Sequence, residues 1–403
     1  HQISDPEGLD ALAMKGPITG YVGYDATATS IHIGNLITVT MLYWLQETGH
    51  KAISLMGGGT SMVGDPSFRD DQRQLLSVEK INANIESIKR VYANILRYDG
   101  ANPAMMVNNA DWLLKLNYVE FLRDVGRYFS VNRMLSFDSV KTRLDREQSL
   151  SFLEFNYMIM QGYDFVELNR RYDCVLQMGG TDQWGNIING VDLSHRMGGP
   201  QLYALTTPLL TTSSGAKMGK TASGAVWLNG DLFSPYEFWQ YFRNTEDADV
   251  GKFLKIFTRL PLTEIARLEA LGGVELNEAK KILATEITAI VHGLAAAEQA
   301  ARDAEATFGS GQTEVANWPV RYLKDDPRFP NARTVAAILA ATGFVSSMTD
   351  ARKQMSGGAQ VRINDRIESD PEKLIGLDEV DERLGGFKVQ FGKKKFALVK
   401  LAP

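Results

Sequence analysis

The chain has one cysteine, no long apolar run and no excess of basic residues. A lone cysteine, Cys174, excludes a disulfide framework or a cysteine-based zinc site within the chain, and its apolar surroundings favour a small core residue. No stretch approaches the roughly 18 to 20 apolar residues of a membrane span, and no charged-then-apolar leader opens the sequence. These absences predict a cytosol-like compartment.

The net charge of −5 argues against a surface coated in basic residues for indiscriminate binding to nucleic acid. The charge is unevenly distributed, however. Residues 332–403 hold 12 Lys and Arg against 9 Asp and Glu, a balance of +3 that leaves −8 for the rest. This distribution predicts a local contact between the carboxy-terminal segment and a polyanion.

Residues 18–38 have the pattern of a nucleotide site. Strand formers fill Ile18–Tyr24, and Gly23 among them would let a ligand approach the backbone. Ser30 could cap a following helix from about Ile33 to Thr48, whose free N–H groups would face a phosphate.

At the start of that predicted helix, His32 and Asn35 share one face because they are three positions apart. Both side chains can donate hydrogen bonds to developing negative charge, and Gly34 leaves room for a base or ribose. A second segment, 211–221, places Lys217 and Lys220 in a glycine-bearing, polar stretch. It suits either a flexible phosphate clamp or a solvated surface loop.

The two motifs together resemble the paired ATP motifs of class I aminoacyl-tRNA synthetases, H-I-G-H and K-M-S-K-S. They stand here as His32-Ile33-Gly34-Asn35 and Lys217-Met218-Gly219-Lys220-Thr221. Asn still donates and Thr keeps its hydroxyl, so the departures preserve the chemistry. Over essentially the whole length, further segments resemble the tyrosyl-tRNA synthetase branch: Tyr21-Val-Gly-Tyr-Asp25, Gly64-Asp65-Pro66-Ser67, Tyr157-Met-Ile-Met-Gln161-Gly-Tyr-Asp164 and Gly179-Gly-Thr-Asp182-Gln-Trp-Gly-Asn186.

This resemblance, with the residue pattern, predicts an α/β fold in several parts. We expect a Rossmann-like catalytic domain at 1–232 with a helical insertion at about 67–150, and an α-helical anticodon-side domain at 233–308. A linker at 309–331 and a small α+β RNA-binding domain at 332–403, similar to a module of a ribosomal protein, would follow. Apolar and aromatic residues of the insertion suit either a homodimer interface or internal core: Trp112, Leu113, Leu114, Phe121, Tyr128 and Phe129.

Two predicted strands, Lys51–Met56 and Cys174–Gly180, end in glycine-bearing segments, where α/β sheets bind ligands. Asp65, after the first, could be a turn residue or a substrate contact. Asp182, after the second, could accept from ribose hydroxyls or cap a helix. The predicted helix Phe152–Val166 carries a polar face that could bind a polar ligand or form an internal hydrogen-bond network. That face consists of Tyr157, Gln161 and Asp164.

The resemblance implies a role for each candidate. Tyr21 and Asp164 would hold the phenolic hydroxyl of substrate tyrosine, and its amino group and backbone would lie near Asp65, Tyr157, Gln161 and Gln183. ATP would contact Gly23, Asp25, Gly34, Gly180, Asp182 and Lys220. Asn35 would join Asp182 at the ribose, while Thr27, His32, Lys217, Lys220 and Thr221 would stabilise charge on the departing pyrophosphate. RNA would meet Arg333, Arg352, Lys353 and Arg362.

The implied reaction activates tyrosine with ATP and Mg²⁺ and transfers it to its tRNA, without a tightly bound metal or organic cofactor. A tryptophanyl-tRNA synthetase is the nearest alternative. An RNA-binding protein that kept the fold without catalysis, or a small-molecule adenylyltransferase, is a more distant one.

Overall fold

The computed structural model describes residues 2–65, 75–100, 102–215, 218–221, 224–309, 318–323, 332–381, 384–392 and 395–401. The chain divides into two compact units, His1–Met218 with Trp227–Asn229, and Gly219–Val226 with Gly230–Pro403. No helix in the described ranges is long and apolar enough to cross a membrane.

The first unit is an α/β layer structure. It contains β1 (Gln2–Ile3), α1 (Pro6–Lys15), β2 (Thr19–Tyr24), α2 (Ile33–Glu47), β3 (Lys51–Met56), α3 (Val78–Ile95), β4 (Met105–Asn108), α4 (Ala110–Leu113), α5 (Tyr118–Asp124), α6 (Val131–Leu135), α7 (Asp138–Asp145), α8 (Phe152–Tyr172), β5 (Cys174–Gly180), α9 (Trp184–Arg196) and β6 (Tyr203–Thr207). The sheet order is β1-β6-β5-β2-β3-β4. Strands β2 to β6 pair in parallel and β1 pairs antiparallel with β6. The predicted Rossmann-like fold is confirmed.

One part of the predicted helical insertion at 67–150 is wrong. Strand β4 lies inside it and pairs in parallel with β3 as an outer strand of the sheet. The four residues of β4, Met105–Asn108, are not followed by a glycine cluster, and so the sequence pattern did not indicate a strand there. Residues 66–74 lie outside the described ranges.

The apolar and aromatic residues predicted for the dimer interface or internal core divide between core and surface. Trp112 is 3% exposed and belongs to the main core with Tyr21 and Phe165, so it is an internal residue. Leu113, Phe121, Tyr128 and Phe129 pack partly buried against the same core. Leu114, by contrast, is 58% exposed.

One helix cap and one helix end differ from the prediction. His32, rather than Ser30, caps α2, since the Ser30 hydroxyl instead donates to the carbonyl oxygen of Ile31 and accepts from the amide of Asn229. Helix α8 begins as predicted, where the Ser151 hydroxyl and the Glu154 carboxylate form a capping box. It extends beyond Val166, and ends at Asp173, which has the left-handed φ of 51°.

The second unit comprises a helical part and a sheet part. Its elements are β7 (Lys220–Thr221), β8 (Gly224–Ala225), α10 (Pro235–Arg243), α11 (Val250–Phe257), α12 (Leu262–Glu269), α13 (Leu276–His292), α14 (Leu294–Gly309), β9 (Val320–Leu323), β10 (Ala332–Thr334), α15 (Val335–Ala341), α16 (Met348–Ser356), β11 (Val361–Ile363), β12 (Arg366–Glu368), β13 (Leu374–Gly376), β14 (Gly386–Phe391) and β15 (Lys395–Leu401). The carboxy-terminal sheet has the order β12-β11-β14-β15-β9, and α15 and α16 pack on it around Phe387.

Strand β9 corrects the predicted linker at 309–331. It pairs in parallel with β15, so residues 320–323 are part of the carboxy-terminal sheet rather than a connection to it. Most of the remaining linker residues, 310–317 and 324–331, lie outside the described ranges.

Candidate active site

The candidate site lies where the parallel strands of the first unit end. Strands β2, β3, β4 and β5 deliver four segments to this edge, beginning at Asp25, Gly57, Asn109 and Thr181. Two of these segments are tied together, because the Asn109 amide oxygen accepts from the Gly59 backbone N–H at 2.7 Å. Predicted site residues from distant parts of the chain therefore lie along one edge.

Tyr21 and Asp164 are brought together in the core, 1% and 2% exposed. The Asp164 carboxylate accepts from Asn109 Nδ2 at 2.8 Å and from Trp112 Nε1 at 2.7 Å. The Tyr21 hydroxyl, in contrast, has no hydrogen-bond partner among the described residues. We call Tyr21, Asn109, Trp112 and Asp164 the hydroxyl pocket.

Burial sets the charge of this pocket. It raises the pKa of Asp164 to about 8, although its hydrogen bonds from Asn109 and Trp112 act in the opposite direction. Burial, followed by the neighbouring Asp164 charge, holds the pKa of Tyr21 well above its ordinary value. The phenol is therefore neutral near pH 7 and can donate a hydrogen bond. An orphaned hydroxyl beside a carboxyl is suited to a ligand that both donates and accepts.

Asn109 and Trp112 were missed as site residues from the sequence. Asn109 follows β4, the strand that had no sequence signal, and Trp112 was assigned to the core or an interface. Recognition of β4 would have placed Asn109 at a strand end, where ligand-facing residues gather.

A second polar group surrounds Tyr157. Its hydroxyl donates to Asp25 Oδ2 at 2.9 Å, and Asp25 Oδ1 accepts from the Thr60 hydroxyl at 2.8 Å. Burial raises the pKa of Tyr157 well above its ordinary value, and the charges of Asp25 and Asp65 act in the same direction. Gln161, one turn further along α8, has a buried Oε1 with no partner among the described residues. Carboxylates with an orphaned acceptor nearby suit a cationic group.

Gln183 connects this group to the end of β5. Its amide nitrogen donates to Asp65 Oδ2 at 2.9 Å and to Asp182 Oδ2 at 3.4 Å. The side chain of Asp182 also lies against Gly180, where a Cβ would stand 2.4 Å from Asp182 Oδ1. The two residues that were predicted for different halves of the site, Asp65 and Asp182, therefore share one amide.

His32 and Asn35 form a reciprocal cap at the start of α2. His32 Nδ1 accepts from the Gly34 N–H at 3.0 Å, and Asn35 Oδ1 accepts from the His32 N–H at 3.2 Å. A neutral His32 ring must then carry its proton on Nε2, which can donate. The prediction of free N–H groups at this helix start is wrong for Gly34, since the ring of His32 satisfies its amide.

Two backbone segments lie against the start of α2: Met218, inside the segment 217–221 that we call the lysine loop, and Trp227, which follows that loop. A Cβ on Gly34 would stand 2.8 Å from the His32 ring and 3.6 Å from the carbonyl oxygen of Met218. Trp227 forms a β-bridge with His32, and their ring centroids are 6.4 Å apart. Lys217 lies outside the described residues, and of Lys220 and Thr221 only the backbone is described.

Gly23 and Thr27 line the exposed side of β2 and the loop after it. Gly23 is exposed although the rest of its strand is buried, and a Cβ there would meet only ordinary contacts, at 3.8 Å or more. Thr27 is partly exposed. Both positions can be reached by a ligand.

The four predicted RNA contacts differ in accessibility. Arg333 is 4% exposed and donates to the carbonyl oxygen of Ala332, so its assignment as a phosphate contact is corrected. Arg352 is partly exposed and pairs with Glu372. Arg362 donates to the carbonyl oxygen of Asp365 at 3.3 Å, and Lys353 is exposed.

Comparison with known proteins gives a consistent result. A family model described as class I tRNA synthetases (W and Y) matches residues 13–309. The chain is 68% identical to the tyrosine–tRNA ligase of Mesorhizobium japonicum over 403 residues, 100% of this chain and 96% of that one. It is 62% identical to the tyrosine–tRNA ligase of Agrobacterium fabrum, with the same coverage. The structure of a C-terminally truncated mitochondrial tyrosyl-tRNA synthetase of Aspergillus nidulans matches with a TM-score of 0.69 at 32% identity, covering 76% of this chain and 91% of that one.

Proposed function

The chain belongs to the class I tRNA synthetases for tryptophan and tyrosine, and we propose that its site selects tyrosine by its hydroxyl and activates it with ATP. The activity is that of a tyrosine–tRNA ligase, as predicted from the sequence. The observation that carries the proposed selection is the orphaned Tyr21 hydroxyl beside Asp164.

In this proposal the substrate hydroxyl donates to Asp164 and accepts from Tyr21. Phenylalanine would leave both groups buried without a partner. A site that is built to pair a substrate hydroxyl rejects the analogue without it far more strongly than a site that only measures size. Asn109 and Trp112 hold the Asp164 carboxyl in place by one hydrogen bond to each oxygen.

The amino group of tyrosine is proposed to lie among Tyr157, Gln161 and Asp65. The orphaned Gln161 Oε1 can accept from an ammonium group, and Asp65 supplies opposite charge. Gln183 positions the Asp65 carboxylate through its 2.9 Å hydrogen bond and contributes to binding of the tyrosine amino group.

The first step needs no side chain as nucleophile. The ionised tyrosine carboxylate attacks the α-phosphorus of ATP, the bond to the pyrophosphate oxygen breaks, and tyrosyl-adenylate and pyrophosphate form. Mg²⁺ enters with ATP as part of the substrate and neutralises phosphate charge. Catalysis then depends on positioning and on donors aimed at the departing pyrophosphate.

We assign those donors to His32 through Nε2, to Thr27, and to Lys217, Lys220 and Thr221 of the lysine loop. Asn35 and Asp182 would hold the ribose, next to Asp25, while Gly23, Gly34 and Gly180 keep the backbone open to the nucleotide. The assignment of the lysine loop to the nucleotide site is supported by the backbone of Met218, which lies against Gly34.

In the second step a ribose hydroxyl of the terminal adenosine of tRNA attacks the adenylate carbonyl and AMP departs. Lys353, Arg352 and Arg362 are our candidates for RNA contacts in the carboxy-terminal domain. A homodimer is supported by exposed large apolar side chains in the insertion and at the start of α8, the helix that follows it: Leu114, Tyr118, Val119, Leu122, Val131, Leu135, Phe152 and Leu153. We place the enzyme in the cytoplasm, where tRNA is charged in bacteria such as those of its relatives.

The test is tRNA charging with radiolabelled tyrosine, ATP and Mg²⁺, followed by pyrophosphate exchange without tRNA. Both activities are expected. Charging without tyrosine-dependent exchange would contradict the two-step scheme, and absence of both would leave only RNA binding.

A further inference from the structure

The loop that follows β2 is held at Ala26, a residue with no exposed surface. The Ala26 N–H donates to Ser61 Oγ at 2.7 Å, and the Ala26 carbonyl oxygen accepts from Asn84 Nδ2 at 2.8 Å. The N–H belongs to the peptide group shared with Asp25, and the carbonyl to the peptide group shared with Thr27. Both peptide planes that flank Ala26 are therefore fixed by side chains.

The two side chains come from separate elements. Ser61 is 4% exposed and lies in the short 3₁₀ helix Thr60–Met62 after β3, whereas Asn84 is fully buried in α3. Together with the bonds of Thr60 and Tyr157 to the Asp25 carboxylate, they connect the loop to three parts of the first unit.

Asn84 is an unusual residue for this position. It stands among apolar residues on the inner face of α3, and its Oδ1 has no partner among the described residues. Its amide must be oriented with the nitrogen toward Ala26, because a carbonyl oxygen can only accept. A buried amide whose oxygen has no partner needs an explanation. The hydrogen bond that its nitrogen donates to the Ala26 carbonyl supplies one.

We propose that Asn84 and Ser61 are positioning residues for tyrosine activation, which act by fixing the backbone between Asp25 and Thr27. The inference rests on the proposed role of Thr27 at the departing pyrophosphate. Neither side chain touches substrate in this account. Their effect is to hold Thr27 in place before the transition state forms, so that no reorganisation is needed during the reaction.

Asn84→Asp is the main test, because it keeps the size of the side chain but replaces the donor Nδ2 with a carboxylate oxygen. That oxygen would face the Ala26 carbonyl oxygen and could not donate to it. In single-turnover experiments at saturating ATP and tyrosine, we expect adenylate formation to slow by about tenfold. The Kd for tyrosine is expected to change less than about twofold, and transfer from preformed adenylate to tRNA to keep its rate.

Asn102→Asp is the matched control. Its amide likewise donates to backbone carbonyls, those of His50 at 2.8 Å and Gln46 at 3.2 Å. These two carbonyls precede β3 and so lie at the opposite edge of the sheet from the candidate site. It should lower thermal stability without slowing adenylate formation. If Asn84→Asp does not fold, Ser61→Ala is expected to slow the same step, and Ser61→Thr, which retains the hydroxyl, to restore it.

Thr27→Ala separates the proposed role of Thr27 from the positioning role of Asn84 and Ser61. If it leaves the activation rate unchanged, the proposed role of Thr27 fails. If it slows activation while Asn84→Asp and Ser61→Ala do not, the positioning role is overturned and the role of Thr27 stands. A loss of tyrosine affinity that matches the loss of rate would also overturn it, since general damage to the site would then account for both.

Discussion

The Tyr157 hydroxyl donates to Asp25 Oδ2 at 2.9 Å, and this bond joins helix α8 to the loop after strand β2. In the proposed function Tyr157 faces the amino acid and Asp25 faces ATP. One hydrogen bond therefore connects the two halves of the site.

Removing this bond with Tyr157→Phe should weaken both halves. The Asp25 carboxylate loses a donor inside the protein, and hydrogen bonds to charged groups are worth about 1.5–3 kcal/mol. We expect kcat/KM for pyrophosphate exchange to fall by at least about tenfold, with KM for ATP and tyrosine both affected. Tyr163→Phe on the same helix, which removes a bond to Glu167, is the control. A change confined to tyrosine would contradict the connection.

Trp112→Phe should weaken selection for the tyrosine hydroxyl. The change leaves Asp164 Oδ1 without its 2.7 Å donor, so the carboxyl is less firmly placed. The ratio of kcat/KM for tyrosine to that for phenylalanine is expected to drop by about tenfold. Trp239→Phe removes an equally buried indole that donates to Thr285 in the second unit, and it should leave the ratio unchanged.

The raised pKa of Asp164, about 8, predicts a pH-dependent stability. In the unfolded chain the same group titrates near about 3.9, so the folded protein holds the proton more tightly. Its contribution to the free energy of unfolding is fully present below about pH 4 and is lost as the pH rises through about 8. Asp164→Asn, which cannot titrate, should therefore gain stability relative to the parent between pH 5 and 8. Urea unfolding of both proteins at pH 5 and pH 8 measures their free energies of unfolding. A difference between variant and parent that is the same at both pH values would contradict the prediction.

The lysine loop should act on the rate rather than on tyrosine binding. Lys220→Ala is expected to lower the rate of adenylate formation by about a hundredfold or more, while the Kd for tyrosine changes little, because the lysine's contact strengthens in the transition state. Lys255→Ala is the control, because it removes an exposed lysine of α11 that pairs with Glu269. Equal losses in rate and affinity would refute the assignment.

Charge reversal in the carboxy-terminal domain should affect tRNA alone. With Lys353→Glu and Arg362→Glu combined, we expect KM for tRNA to rise by about tenfold or more and its salt dependence to become shallower. Pyrophosphate exchange should not change. Arg302→Glu on α14, at a 60% exposed side chain, is the control. A loss of exchange activity in the double variant would point to a folding defect instead.

Much of the first unit could be predicted because its strands have local signals. The strands Lys51–Met56 and Cys174–Gly180 were placed at their observed bounds, since apolar runs end there in glycine. Helix α8 was found but ended too early, because the prediction stopped with the apolar pattern at Val166. The final turns are instead held by Glu167, whose carboxylate pairs with Arg170 and Arg171.

The missing parts depended on contacts between distant residues. The strand signal of β4 is too short to be read without β3 beside it, and so Asn109 was not recognised. The Ser30 hydroxyl accepts from the backbone N–H of Asn229, 199 positions away, and no local sequence pattern shows that contact. Arg333 was predicted as an RNA contact from the resemblance to an RNA-binding module, and a sequence does not show which arginine of such a domain is buried.

We propose that the hydroxyl pocket selects tyrosine for activation. The most direct test of this selection is amino-acid-dependent exchange of pyrophosphate into ATP, with tyrosine, phenylalanine and tryptophan compared in parallel. We expect exchange with tyrosine, and a kcat/KM for phenylalanine that is lower by about four orders of magnitude or more. Comparable exchange with phenylalanine or tryptophan would contradict the roles of Tyr21 and Asp164.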